Sequence, residues 1–312
     1  MTLRIVSLLP SATEIVCALG LEQALVGITH ECDYPPSVAG KPRLTSSRIA
    51  SPTLTSREID HAVRSQVDGH GSIYALDEAH LRALRPDLIL TQELCAVCAV
   101  SYQTVRQAVR LYETDVRIVS LEPTTIADIL ATIQTVGELT GRGAQARAVV
   151  DHLEARLGAL RARLASIQQR PRTLLLEWLE PPFEAGHWVP EQVAAAGGEA
   201  VLGRAGQPSR TTTGAAIAAC APEVIVLIPC GYSKEEILRA LAQATLPVGW
   251  HELPAVRSGN VWAVDAMAYF SRPGPRVVDG VAILAQILHP EVMGPPSAEQ
   301  AVQVPAELMR SV

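Results

Sequence analysis

The sequence predicts an α/β protein: two parallel-sheet α/β lobes joined by one long α-helix, with a ligand cleft between the lobes. Three observations predict it. Short apolar runs bounded by turn residues alternate with helical stretches through both halves of the 312 residues. One helical periodicity, from Gly143 to Gln169, interrupts that alternation. Each half also repeats the order helix, proline, acid, buried strand, cysteine: Leu81–Leu90 precedes Cys95 and Cys98, and Ala221–Ile228 precedes Cys230. The expected divisions are an N-terminal lobe over 1–142, a connecting helix over 143–170 and a C-terminal lobe over 171–312.

Arg4–Leu8 reads as the first strand, and Pro10 with Ser11 opens a helix whose Ser11-x-x-Glu14 spacing predicts a capping box and which Gly20 closes. Leu25–Thr29 is a second strand, running into a polar segment, His30–Pro36, that two prolines keep from becoming helix. Lys41–Thr55 reads as an irregular loop. Ser56–Val67 and Asp77–Arg85 read as helices separated by a glycine-rich break over 68–71. Pro86 stops the second of them before the buried strand Leu88–Leu90, Ser101 is expected to cap a helix to Tyr112, and Asp115–Ser120 and Thr125–Thr140 continue as strand and helix.

Val150, Leu153, Leu157, Leu160, Leu164 and Ile167 recur at steps of three and four, which makes 143–169 a single amphipathic helix. Arg170–Pro171 ends it. The second series follows: strand Thr173–Trp178, helices Pro190–Ala196 and Thr212–Cys220, strand Glu223–Ile228, helix Ser233–Ala244, strand Asn260–Val264 and a closing helix Gly274–Leu288.

A net charge of −6 argues against nucleic acid, because phosphate binding needs a basic surface and no basic cluster with interleaved aromatics occurs. No apolar stretch has the length of a membrane span. Met1–Pro10 has too short an apolar run for an export leader and reads as a strand, so the expected location is the cytoplasm. There, six cysteines are thiols or metal ligands rather than disulfides. The sequence holds no G-x-S-x-G, H-E-x-x-H, phosphate loop or dinucleotide fingerprint, and no catalytic residue is assigned.

Taken together, Arg4–Gly20 (RIVSLLPSATEIVCALG), Val26–Gly27 followed by Asp33–Pro36 (DYPP), Leu81–Leu90 and Val189–Gly198 (VPEQVAAAGG) resemble the helical-backbone class of periplasmic binding proteins, in particular the cobalamin-binding component of vitamin B12 importers. The resemblance implies a non-catalytic binder of a corrinoid or similar metal-bearing macrocycle, with an ABC transporter as partner. The cysteines depart from it. Cys32, Cys95, Cys98 and Cys230 all fall in loops after strands, and convergent thiolates suit zinc or an iron–sulfur cluster, with His30 as a further ligand. The alternative function is therefore a cytoplasmic metalloprotein. The plainer reading is that these cysteines, like Cys17 and Cys220 within helices, are small apolar fillers.

Other residues fit a large planar ligand. Glu31, Asp33 and Tyr34 stand at a strand end, where carboxylates can orient ligand amides. Trp178, Phe183, His187 and Trp188 cluster where the second lobe's first strand ends, although aromatics are only 4% of the chain. Flat rings suit a macrocycle face, and His187 could give cobalt or iron an axial nitrogen. Tyr269, Phe270 and Arg272 form a further loop before the closing helix.

Overall fold

The computed structural model describes residues 3–49, 54–70, 73–92, 105–106 and 116–309, with backbone alone at 67–70. It divides into two compact units. One comprises Met1–Thr53, His61–Pro123 and Ala127–Asp151, the other Leu54–Asp60, Thr124–Ile126 and His152–Val312.

The first unit contains β1 (Ile5–Ser7), α1 (Pro10–Ala18), β2 (Leu25–Ile28), β3 (Thr45–Ser47), most of α2 (Ser56–His70), β4 (Tyr74–Leu76), α3 (Glu78–Leu84), β5 (Leu88–Thr91), β6 (Arg117–Ser120), α4 (Ile126–Leu139) and the start of α5 (Gly143–Arg163). Its main sheet has the order β2-β1-β5-β6 and every pair is parallel. Both faces of a parallel sheet are covered, which is why β1 and β5 are apolar at nearly every position and fully buried. Val6, Leu8, Leu44, Leu81, Ile89 and Val105 pack into one cluster with Ile73 and Tyr74.

Several local expectations are corrected. The helix α1 starts one residue before the predicted cap: Pro10, whose ring presets a helical φ, takes the first position and Leu9 is the cap, without a side-chain bond. Ser11 and Glu14 therefore lie inside the helix and are buried, so they form no capping box. The supposed loop Lys41–Thr55 contains β3, which pairs antiparallel with β4. Three polar residues carry no periodicity, so the pattern could not reveal it. The expected break at 68–71 is also displaced, since α2 runs through Gly69 to His70. A glycine within a helix costs only about 1 kcal/mol, too little to end one that neighbours support.

The long helix ends at Arg163, six residues short of expectation, where Ala165 and Ile167 donate to carbonyls three residues back, Ala162 and Leu164, and tighten the turn. Ala146, Val150 and Leu153 form its buried stripe, Leu164 is buried just past its end, and Arg156 binds Asp279 at 2.5 Å.

The second unit contains β7 (Arg172–Leu179), β8 (Pro182–Glu184), α6 (Val189–Ala195), β9 (Glu199–Ala200), β10 (Arg210–Thr211), α7 (Gly214–Cys220), β11 (Val224–Leu227), α8 (Lys234–Leu241), α9 (Pro254–Arg257), β12 (Val261–Val264), α10 (Ala266–Tyr269), α11 (Val277–Leu288), α12 (Pro290–Met293) and β13 (Ala301–Gln303). The parallel centre β7-β11-β12 matches the expected strands, and β9 adds to β7 in parallel. The short strands β8, β10 and β13 extend it antiparallel at both edges, which the alternating pattern does not reveal.

The repeat seen in the sequence has a structural counterpart at the N-terminal ends of both sheets. Helices α3 and α7 each end on a left-handed residue, Arg85 (φ 43°) and Ala221 (φ 42°), immediately before the proline. The acid that follows accepts a backbone hydrogen bond from the arginine opening the neighbouring strand: Arg4 N to Asp87 Oδ2 and Arg172 N to Glu223 Oε2, both 2.8 Å. Each arginine's Nε then donates to the end of the preceding helix, Leu84 O at 2.8 Å and Ala221 O at 3.1 Å.

Candidate functional site

Ligands of open α/β sheets collect at the C-terminal ends of the strands. In the first unit, β2 delivers Thr29, His30, Glu31 and Cys32 to that end. The turn is fixed by Arg43, whose Nη1 donates to the carbonyls of Thr29 (2.9 Å), His30 (3.3 Å) and Cys32. Thr45, the first residue of β3, lies 2.7 Å by Oγ1 from His30 Nδ1 and 2.8 Å from Thr29 Oγ1, and accepts from His30 N at 3.1 Å. Tyr74 on β4 donates to Glu31 Oε1 at 2.8 Å, and its ring lies 5.6 Å from the imidazole. Burial pulls the His30 pKa down, opposed by Glu31 and assisted by the Arg43 charge. Asp33 and Tyr34 follow, both exposed, Tyr34 at 44% and joined to Pro35 by a cis peptide bond.

In the second unit the C-terminal end of β7 carries Glu177, Trp178 and Glu180. Ser209 donates to Glu177 Oε2 and accepts from Gly186 N at 3.0 Å. Burial pushes the Glu177 carboxyl up, against the pull of those contacts. Glu180 is buried and pairs with Arg57 on the first turn of α2, the same turn whose Ser56 carbonyl accepts from Trp178 Nε1 at 3.1 Å. The Trp178 and Tyr232 rings meet edge to face, 5.4 Å apart, and Phe183 pairs with Trp178 across β8.

His187 is left-handed at φ 51°, held by donating its N–H to Gln207 O (2.6 Å) and accepting at its carbonyl from Gly206 N (2.9 Å). Its buried Nδ1 has no hydrogen-bond partner, and burial lowers its pKa. The two loops approach so closely that a Cβ on Gly186 would meet Gln207 O and one on Gly203 would meet Ala185 O. Trp188 and Phe270, from the two predicted aromatic loops, do come together, but in the core: both are buried, and Trp188 Nε1 donates to Phe270 O at 3.1 Å. Tyr269 sits under the Arg276 guanidinium at 5.9 Å, and Arg272 is buried.

The cysteines diverge in their surroundings. Cys32 is buried with Sγ 3.0 Å from Thr13 Oγ1, whereas Cys230 is exposed and its N–H donates to Glu177 O at 3.1 Å. Cys95 and Cys98 lie outside the described residues. Among the described residues no group of three or more His, Cys, Asp and Glu is placed to hold a metal. Cys17 is half-buried, and burial above all, then Glu22, pushes its thiol up to about 11.

Sequence reasoning missed Arg43, Thr45, Tyr74, Glu177, Ser209 and Tyr232. One signal was available: Glu177 is the single acid inside the apolar run Thr173–Leu179, and an acid inside a buried strand needs a partner. The others reach their places only through β3, β4 and the long loops.

No helix among the described residues is long and apolar enough to cross a membrane. A vitamin B12-binding protein of Vibrio cholerae is 25% identical over 282 residues, covering 89% of this chain and 86% of the relative. An uncharacterised ABC transporter substrate-binding lipoprotein of Bacillus subtilis is 22% identical, covering 92% and 80%. Among solved structures, a periplasmic heme-binding protein of Pseudomonas aeruginosa superposes with a TM-score of 0.73 at 21% identity, over 96% of this chain and 97% of the other. The periplasmic vitamin B12-binding protein of Vibrio cholerae does so at 0.65 and 23%, over 91% and 96%. The family model described as "Periplasmic binding protein" matches residues 5–268. The chain belongs to the periplasmic binding protein family, a family of binders for ABC importers rather than of catalysts.

Proposed function

We propose that this protein binds a corrinoid of the cobalamin type and presents it to an ABC importer. The observation that carries the reading is the match over 89% of the chain, at 25% identity, to a vitamin B12-binding protein. The surfaces at the strand ends support it. A corrinoid has a broad apolar face and a rim of amides. The Trp178–Tyr232 pair offers ring surface to the first, and Glu31 and Asp33 offer acceptors to the second.

Isothermal titration with cyanocobalamin, haemin and a ferric siderophore tests the proposal. Cyanocobalamin is expected to bind with a Kd of about 1 μM or tighter, and at least about tenfold better than haemin. Preference for haemin or the siderophore would replace the corrinoid with that ligand. Delivery to an importer requires the protein to stand outside the cytoplasmic membrane, whereas a cytosolic protein could bind the ligand but not deliver it. Cell fractionation separates the two: recovery in the cytosol alone would remove the transporter from the proposal and leave the ligand.

A further inference from the structure

We propose that His30 is an axial ligand to the metal of the bound corrinoid, entering through Nε2 in place of an exchangeable water. The proposal rests on the corrinoid reading above and adds a coordination bond to it. Two features of the first unit lead there.

The first is the tautomer. His30 Nδ1 lies 2.7 Å from Thr45 Oγ1, which also accepts from His30 N at 3.1 Å and stands 2.8 Å from Thr29 Oγ1. A hydroxyl has two lone pairs and one proton. Thr45 Oγ1 can take Nδ1–H and the backbone N–H on its two lone pairs and direct its own proton to Thr29, one of the two tautomers these contacts satisfy and the one the proposal assigns. That arrangement leaves the His30 Nε2 lone pair open, and Nε2 has no hydrogen-bond partner among the described residues. A metal-bound imidazole needs this arrangement: one nitrogen fixed by an oxygen, the other free.

The second feature is rigidity. Arg43 gathers the carbonyls of Thr29, His30 and Cys32, so the turn carrying the imidazole is fixed from below. A macrocyclic ligand brings its own equatorial nitrogens. One protein nitrogen therefore suffices, and no cluster of three ligating side chains is required.

In the exchange the Co–OH2 bond breaks and a Co–N bond forms. Water leaves as a neutral molecule, and neither the cobalt oxidation state nor the proton count changes. Corrinoids with labile axial water are thereby favoured over those whose axial group does not exchange.

The test records visible spectra while aquacobalamin or cyanocobalamin is titrated into the protein and into His30→Gln. The wild type is expected to bind both, to shift the aquacobalamin spectrum to that of an imidazole complex, and to hold aquacobalamin about tenfold more tightly or better. His30→Gln should bind both alike without the shift. An unchanged aquacobalamin spectrum on a wild type that binds it, or the same shift with His30→Gln, overturns the coordination bond and leaves the corrinoid reading intact. Binding of neither corrinoid overturns both. A measurement on the wild type alone covers a variant that does not fold. Bound cob(II)inamide, which lacks its own base, should show nitrogen hyperfine splitting in its electron paramagnetic resonance spectrum, changed when the protein carries ¹⁵N-histidine. Splitting that is absent, or unaffected by the label, overturns the proposal.

Discussion

The N-terminal ends of the two sheets are near copies, and their C-terminal ends share almost nothing. At the first, a left-handed residue, a proline and an acid meet an arginine on the neighbouring strand, with matching bonds of 2.8 Å in both units. At the second, one unit presents an imidazole tied to two threonines, the other a half-buried carboxylate tied to a serine beside an aromatic pair. Joining a strand to the preceding helix is the same physical problem twice, and it has the same solution twice. Recognition is a different problem on each unit. The difference separates residues that hold the sheets from residues that present side chains at the strand ends.

Variants can break or sharpen this contrast. The largest effect is expected in the shared centre, where Ile89 and Ile225 are fully buried on β5 and β11. Ile89→Ala and Ile225→Ala should each cost about 2–5 kcal/mol in urea unfolding. A loss below about 1 kcal/mol in either would show that the two centres are not equivalent. Next come the acids that staple the strands. Asp87→Ala and Glu223→Ala each strand a backbone donor and should cost about 1 kcal/mol apiece, with corrinoid affinity unchanged. Unequal costs would break the analogy, and lost affinity would move recognition to the wrong end.

Glu177 supplies a pH test. Its folded pKa is raised by burial, so between the unfolded carboxylate value of about 4.3 and the higher folded value the native state holds more protons than the unfolded chain. Stability therefore falls as pH rises through that window. Glu177→Gln keeps an acceptor for Ser209 and should flatten the fall in a series of unfolding curves. An equally steep fall in the variant would assign the pH dependence elsewhere. The smallest effect concerns thiols. With a pKa of about 11, Cys17 has a thiolate fraction on the order of 0.001 at pH 8, so iodoacetamide should label exposed Cys230 well before it. Peptide mass mapping that found Cys17 labelled first would contradict the burial described.

The parallel strands and the helices between them were legible because buried strands and amphipathic helices impose periods on the sequence, as in Leu88–Leu90 and Val150–Leu164. The edge strands were not. β3, β9 and β10 are two or three residues long and owe their form to partners distant in the chain. The same limit hid much of the candidate site. His30 and Glu31 could be noticed as polar residues at a strand end. Thr45 and Tyr74, which orient them, arrive only when β3 pairs with β4. The aromatic stretch was visible but not divisible: Trp178 lies at a strand end, while Trp188 is a core residue whose indole is tied to Phe270.

Ligand is expected to engage the C-terminal strand ends and to leave the N-terminal staples alone. Hydrogen exchange with mass spectrometry, comparing free and cobalamin-loaded protein, tests it most directly. Slower exchange is expected in peptides covering 28–34, 177–180 and 230–233. Peptides covering 4–5, 85–88, 172–173 and 221–224 should not change. Protection confined to the second group, or spread equally over both, would contradict it.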